Sequence, residues 1–293
     1  MYIDSHAHIA TSKKLLDQVD SIITDAKKQK ISYIVDSSHD AETSERALQL
    51  SRRYRDILLP TIGIHPEMVT PGSDIYREDF DITEEMKRLK ALFHKGKDEF
   101  VAVGECGLDF YWIERKSELR SHKSELKKIQ EEVFRSQVLF AQEVDLPLVV
   151  HSRGAESECL RILKLKINNP AYAKATAGKQ KLKVKVLFHS YTGSIEIAKK
   201  IFEAGYYISF NNIISYPKSD EIRQIFKFGW KKYRGQILSE TDAPYLPPQH
   251  KRGETCFPSD IRYVVEKMSE ISGDSVGTIA KITVENAKNF YSI

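Results

Sequence analysis

Cysteine is scarce and spaced wrongly for chemistry. Only Cys106, Cys159 and Cys256 occur in 293 residues, with no CxxC pair. That excludes a disulfide framework and a zinc ribbon and points to a reducing compartment. No apolar run approaches the ~20 residues that a membrane-spanning helix needs. A secretory leader is excluded as well, because Asp4, His6 and His8 stand where its apolar stretch would lie. A cytoplasmic protein with no membrane contact is expected. Charge of one sign is also in short supply: 45 Lys and Arg against 41 Asp and Glu leave a formal net charge of +4. So small a surplus does not announce nucleic-acid binding, and any basic footprint has to be local. There is no internal repeat and no break in composition, so a single domain over residues 1–293 is expected, a length common for one closed α/β barrel.

What is present is alternation. Short β-branched runs read as strands at Tyr2–Ser5, Tyr33–Asp36, Leu59–Gly63, Phe100–Gly104, Leu148–Val150, Val184–Phe188, Tyr206–Phe210 and Gln236–Ser239. Stretches of helical period separate them, at about 12–30, 41–55, 82–95, 124–145, 156–167, 195–204 and 219–228, with two or three more between 259 and 290. Repeated βα units of this kind build a parallel sheet, and eight strands closing on themselves make a TIM-type (β/α)8 barrel. Pro147 opens the fifth strand and Gly205 ends the helix before the seventh. The lysine-rich stretch Pro170–Lys185 joins a helix to a strand, so it is expected as a solvated loop on the bottom face.

In such a barrel, chemistry gathers where strands end and βα loops begin. His6 and His8 follow strand one, His65 follows strand three, and Glu105 follows strand four between glycines. His151 ends strand five, His189 ends strand six, and Glu240 and Asp242 end strand eight. Alternation puts Val103 with Glu105, Val149 with His151, Leu187 with His189, and Leu238 with Glu240 and Asp242 on shared faces, inward. Taken singly, His151 and His189 could be satisfied core histidines, and His65 before a proline a turn residue. Together, at corresponding positions, strand-end residues read as metal ligands: His6, His8, Glu105, His151, His189 and Asp242. Asp4, on the same face as His6 and His8, is expected to fix a ring tautomer, and Glu240 to act from behind the ligands. His39 reads as part of the start of the second helix, His94 as a favourable charge in a helix's last turn, and His122 as solvated. His250, in the loop after strand eight, is open to either reading.

These residues resemble the TatD family of metal-dependent deoxyribonucleases. The matches are Asp4-Ser-His-Ala-His8, Gly63-Ile-His-Pro66, Val103-Gly-Glu-Cys-Gly-Leu-Asp-Phe-Tyr-Trp112, Val150-His-Ser-Arg153, His189 with Gly193-Ser194, Glu240-Thr-Asp-Ala-Pro-Tyr245 and Asn286-Ala-Lys-Asn-Phe290. They run in the family's order along essentially the whole chain. Departures fall at His189-Ser-Tyr191, at Phe210-Asn-Asn212 and at Cys256 in the last loop, and they bear on substrate preference.

The resemblance implies two divalent ions, Mg2+, Mn2+ or Zn2+, bridged by Glu105. One would be held by His6, His8 and Asp242 and the other by His151 and His189. It further implies hydrolysis of DNA phosphodiesters, as a 3′–5′ exonuclease on single strands or 3′ ends. Catalysis would rest on Glu105, Asp242 as acceptor of the water proton, and His65. His65, Arg153 and Arg252 would meet phosphate oxygens, and Tyr111 and Trp112 would stack a base. The rivals are an amidohydrolase, an ester hydrolase of the D-aminoacyl-tRNA deacylase kind, and a non-catalytic metal-binding scaffold. Binuclear amidohydrolases typically bridge their metals with a modified lysine on strand four, where this chain has Glu105.

Overall fold

A computed structural model describes residues 1–164 and 184–293. Eight parallel strands stand in the order of the sequence: β1 (Tyr2–Ala7), β2 (Ile31–Asp36), β3 (Leu58–Ile62), β4 (Ala102–Asp109), β5 (Leu148–Arg153), β6 (Val186–Phe188), β7 (Tyr207–Phe210) and β8 (Ile237–Ser239). The seam between β8 and β1 is drawn together by a bridge between Ala7 and Ala243. Asp242 N donates to His6 O at 2.9 Å and His8 N to Ala243 O at 2.7 Å across the same seam. The expected TIM-type barrel is present.

The helices follow from their apolar spacing. They are α1 (Lys13–Leu16), α2 (Val19–Lys28), α3 (Ala41–Arg53), α4 (Ile82–Lys95), α5 (Tyr111–Arg115), α6 (Lys123–Val144) and α7 (Glu156–Lys164), then α8 (Ile195–Glu203), α9 (Asp220–Lys232), α10 (Ile261–Ser272) and α11 (Val276–Tyr291). In α2, Val19, Ile22, Ile23 and Ala26 share the buried face at helical spacing. Asp40 starts α3 with a capping box to Thr43, and Asp145 ends α6 in the left-handed conformation, φ 56°. The single helix expected over 12–30 is broken at Gln18, which lies between α1 and α2 without a side-chain cap. The Pro170–Lys185 stretch lies almost wholly outside the described residues.

Two apolar layers result. One lies between strands and surrounding helices; the other fills the barrel with Ile3, Val35, Val149, Leu187 and Leu238. Ala287, Phe290 and Tyr291 of α11 join that inner layer, and Tyr291 Oη donates to Ser5 O at 2.8 Å. The last helix therefore plugs the end of the barrel opposite the strand carboxyl ends.

The strand-four expectation needs correction. β4 runs on to Asp109, because Cys106–Asp109 continues to pair with Val150–Arg153 of β5. Between Val103 paired with Leu148 and Cys106 paired with Val150, three steps along β4 match two along β5. This one-residue bulge reverses the alternation. Val103 consequently packs in the helix-facing layer while Glu105 points inward, so the two do not share a face. Glycine is required at the bulge: a Cβ on Gly104 (φ +149°) would lie 2.7 Å from Val149 O, and one on Gly63 2.8 Å from the Gly104 backbone.

Candidate metal centre

Glu105 is the hub. It is 1% exposed, and each of its oxygens meets a different set of imidazoles. Oε2 lies 3.1 Å from His6 Nε2 and 3.5 Å from His8 Nε2. Oε1 lies 2.6 Å from both His151 Nδ1 and His189 Nε2, and 3.3 Å from His65 Nε2. Asp242 Oδ1 approaches His8 Nε2 at 3.3 Å and His6 Nε2 at 4.0 Å. All six residues read as ligands converge, in two groups that share one carboxylate.

What orients the rings came only in part from the expected places. Asp4 touches no imidazole; it accepts from Thr241 and from His6 N, tying β1 to the turn after β8. The His6 ring is fixed instead by Ser37 Oγ, 3.1 Å from Nδ1. Asp109 Oδ2 lies 3.1 Å from His151 Nε2, while its Oδ1 accepts from Tyr111 N at 2.8 Å. Glu240 is fully buried: Oε1 accepts from Ser190 N at 2.6 Å and lies 3.6 Å from His189 Nδ1. Asp109 and Glu240 thus stand behind His151 and His189 as carboxylates that favour a proton on the outer ring nitrogen. The inner nitrogen, 2.6 Å from Glu105 Oε1 in both rings, is then the one whose proton a cation would displace.

The electrostatics agree with a cation site. Burial raises the pKa of Glu105, but the imidazoles of His189, His65, His6 and His151 outweigh it and hold the carboxyl well below its usual range. Burial disfavours the charged form of His151, yet Asp109 and Glu105 push its pKa up to about 9. Asp242 is also lowered: burial opposes ionisation, and His8 more than compensates. The fit to metal is direct. His6 Nε2 and His8 Nε2 face each other at 3.2 Å, with Glu105 Oε2 and Asp242 Oδ1 beside them. Nitrogen and carboxylate donors gathered this closely and shielded from water suit divalent ions. Among the described residues, four overlapping triads bring such donors together, among them His6 with His8 and Asp242, and His65 with Glu105 and His151.

A cavity of about 460 Å3 opens above the centre, within the usual range for small-ligand sites. His65 lies in its wall, and His65 Nδ1 accepts from Glu67 N at 3.2 Å, so its proton sits on Nε2 and can be donated into the cavity. Arg153 lines the cavity, but its guanidinium lies 3.6 Å from the centre of the Tyr111 ring, which covers a face expected to stack a base. Trp112 also lines it, pinned by its Nε1 to Glu67 Oε1 at 2.9 Å. Arg252 is not in the lining; it lies over Tyr216, 4.5 Å from that ring. His250 packs 4.5 Å from Tyr263, centre to centre, and also stays out of the lining.

Two residues that strand spacing did not single out belong here. His39 is half-buried in the wall, its ring 4.9 Å from His8 and 5.2 Å from His65. Its position three residues beyond β2 was the available signal. Tyr245 lines the mouth with its ring 5.7 Å from His8 and 53% exposed, an open aromatic face beside Asp242. The spacing from Asp242 could have suggested it.

A parallel barrel with imidazoles and carboxylates gathered at the carboxyl ends of its strands defines a class, the metal-dependent hydrolases. Within that class, a family model described as TatD related DNase matches residues 3–292. The chain belongs to this family and is a metal-dependent hydrolase. It is 32% identical over 294 residues to the uncharacterised metal-dependent hydrolase YabD of Bacillus subtilis, covering 100% of each chain. Among solved structures it resembles the TatD homologue YjjV of Escherichia coli, at TM-score 0.79, 22% identity and coverage of 100% and 98%. A TatD family hydrolase of Entamoeba histolytica superposes at TM-score 0.74 with 19% identity, covering 99% and 97%. Among the described residues, no helix is long and apolar enough to cross a membrane.

Proposed function

We propose that this protein hydrolyses DNA phosphodiesters, removing nucleotides from the 3′ end of single strands with two divalent ions. One ion would be held by His6, His8 and Asp242 and the other by His151 and His189, with Glu105 shared. The observation that carries this reading is the division of Glu105, one oxygen toward His6 and His8 and the other toward His151 and His189. When bound, such ions acidify water toward neutrality and polarise the phosphoryl group.

The chain's own residues supply the rest. Asp242, held ionised beside His8, accepts the proton of the attacking water. His65 donates its Nε2 proton to a non-bridging phosphate oxygen, and Arg153 meets the same group from the cavity edge. The exposed face of Tyr245 takes a base, in place of the covered ring of Tyr111. A mouth that admits one small ligand above a buried centre favours a strand end over the middle of a duplex.

The test uses 5′-labelled single strands, linear and circularised, with Mg2+, Mn2+ or Zn2+. A ladder shortening from the 3′ end, absent with the circle and absent in Glu105→Ala, is expected. Cleavage of circles would replace the exonuclease by an endonuclease. Turnover of misacylated tRNA with DNA left intact would replace the phosphodiesterase by an ester hydrolase.

A further inference from the structure

The chain's modest net charge hides a local surplus beside the cavity. From Tyr111 to Lys128 there are six basic residues against three acidic ones, Glu114, Glu118 and Glu125. This segment comprises α5, the turn after it and the start of α6. In a barrel it follows strand four on the same rim as the metal centre. Its charges are arranged on aromatic rings. Arg153 lies 3.6 Å and Arg115 4.7 Å from the centre of Tyr111, Lys116 lies 5.3 Å from Trp112, and Lys127 lies 4.4 Å from Phe110.

We infer that this rim is the track for single-stranded DNA leading away from the cavity, binding the nucleotides beyond the one being cleaved. The inference rests on the proposed nuclease reading. Trp112 and Arg153 line the cavity and also carry or abut the rim cations, so the two surfaces are continuous. Arg115 is exposed, and its guanidinium is spread on the ring that Arg153 also covers. Among the described residues Arg115 pairs with no carboxylate, and Arg153 keeps only a long contact of 3.9 Å to Asp109, so both guanidiniums are held on the ring and remain available to phosphates. Lys123 and Lys127 are different: Glu114 pairs with both, at 2.6 Å and 2.7 Å, so they brace the segment. A row of cations seated on rings along a groove edge follows the phosphates of a single strand without reading its sequence.

The experiment compares wild type with the Arg115→Ala/Lys116→Ala double variant on a dinucleotide and on a 30-nucleotide single strand. With the dinucleotide, kcat and KM should be unchanged, which also reports an intact fold and centre. With the 30-mer, KM should rise several-fold at unchanged kcat. The slope of log KM against log salt should flatten by roughly 0.7 for each phosphate that the variant no longer neutralises. An Arg115→Lys/Lys116→Arg variant should restore both. Equal KM and equal slope for the double variant and wild type would overturn the track. Binding of the labelled 30-mer to metal-loaded Asp242→Asn protein, with and without the double substitution, reads the same surface independently of cleavage. If wild type cleaves no DNA yet the double substitution still weakens 30-mer binding, the track stands and the nuclease reading falls. Unchanged binding there refutes the track alone.

Discussion

Asp109→Asn tests whether a residue that reaches no substrate sets the metal affinity of the centre. Asp109 is fully buried and serves two donors at once: Tyr111 N–H at Oδ1, 2.8 Å, and the His151 ring at Oδ2, 3.1 Å. An asparagine has one acceptor oxygen and one amide group. If its oxygen keeps Tyr111 N–H, its amide faces His151 Nε2, and the ring must accept there and move its proton to Nδ1. That nitrogen lies 2.6 Å from Glu105 Oε1 and is the one proposed to hold metal. If the oxygen keeps His151 instead, the N–H of half-buried Tyr111 loses its acceptor, at about 1 kcal/mol of stability. Losing the partner behind a metal-bound histidine lowers affinity by about 10–100-fold, or about 1.4–2.8 kcal/mol. Calorimetric titration of metal-stripped protein with Mn2+ or Zn2+ measures the first cost and urea unfolding the second. Affinity within twofold of wild type, at unchanged stability, would refute the argument.

Four further outcomes are expected. Glu105→Ala should lose bound metal by elemental analysis and all hydrolysis, since both groups share that carboxylate; retention of two equivalents would contradict a bridging role. Stripping with a chelator should abolish activity and readdition of a divalent ion restore it, whereas activity that survives exhaustive chelation would exclude the proposed chemistry. Because the His151 pKa stands at about 9, its ring holds a proton at neutral pH that a cation must displace. Metal affinity should therefore rise with pH up to about 9, and the apparent binding enthalpy at pH 7 should vary with the ionisation enthalpy of the buffer; no variation would mean that no proton is released. Tyr245→Ala should raise KM for DNA by the loss of one base stack, about 1–3 kcal/mol, with Tyr245→Phe close to wild type, while an equal effect on an abasic end would argue against stacking.

The six proposed ligand positions were legible because each lies at or just beyond a strand end, where an apolar run stops and a polar residue begins. Strand period also placed Val149 under His151 and Leu187 under His189, as the filled barrel shows. The same rule failed at Val103 and Glu105, where the bulge adds a residue to one strand and exchanges its faces. A bulge depends on what the neighbouring strand pairs with, and period along one strand carries no trace of it. Asp4 illustrates the converse, its phase being right while its partner is Thr241, 237 residues away.

By itself, then, the order of residues determined the class of fold and the rim on which the titratable side chains gather, and it brought forward the donors proposed for the metal. These depend on local period and on which residue types can hold a cation. Only the tertiary structure decided that Ser37 and Asp109 join Glu240 behind the rings, and that Tyr111 carries guanidiniums while Tyr245 stays open. Those relations are made by side chains from separate βα units meeting at the mouth of the barrel. Their distances are set by barrel closure and loop path, which no spacing within a single unit encodes.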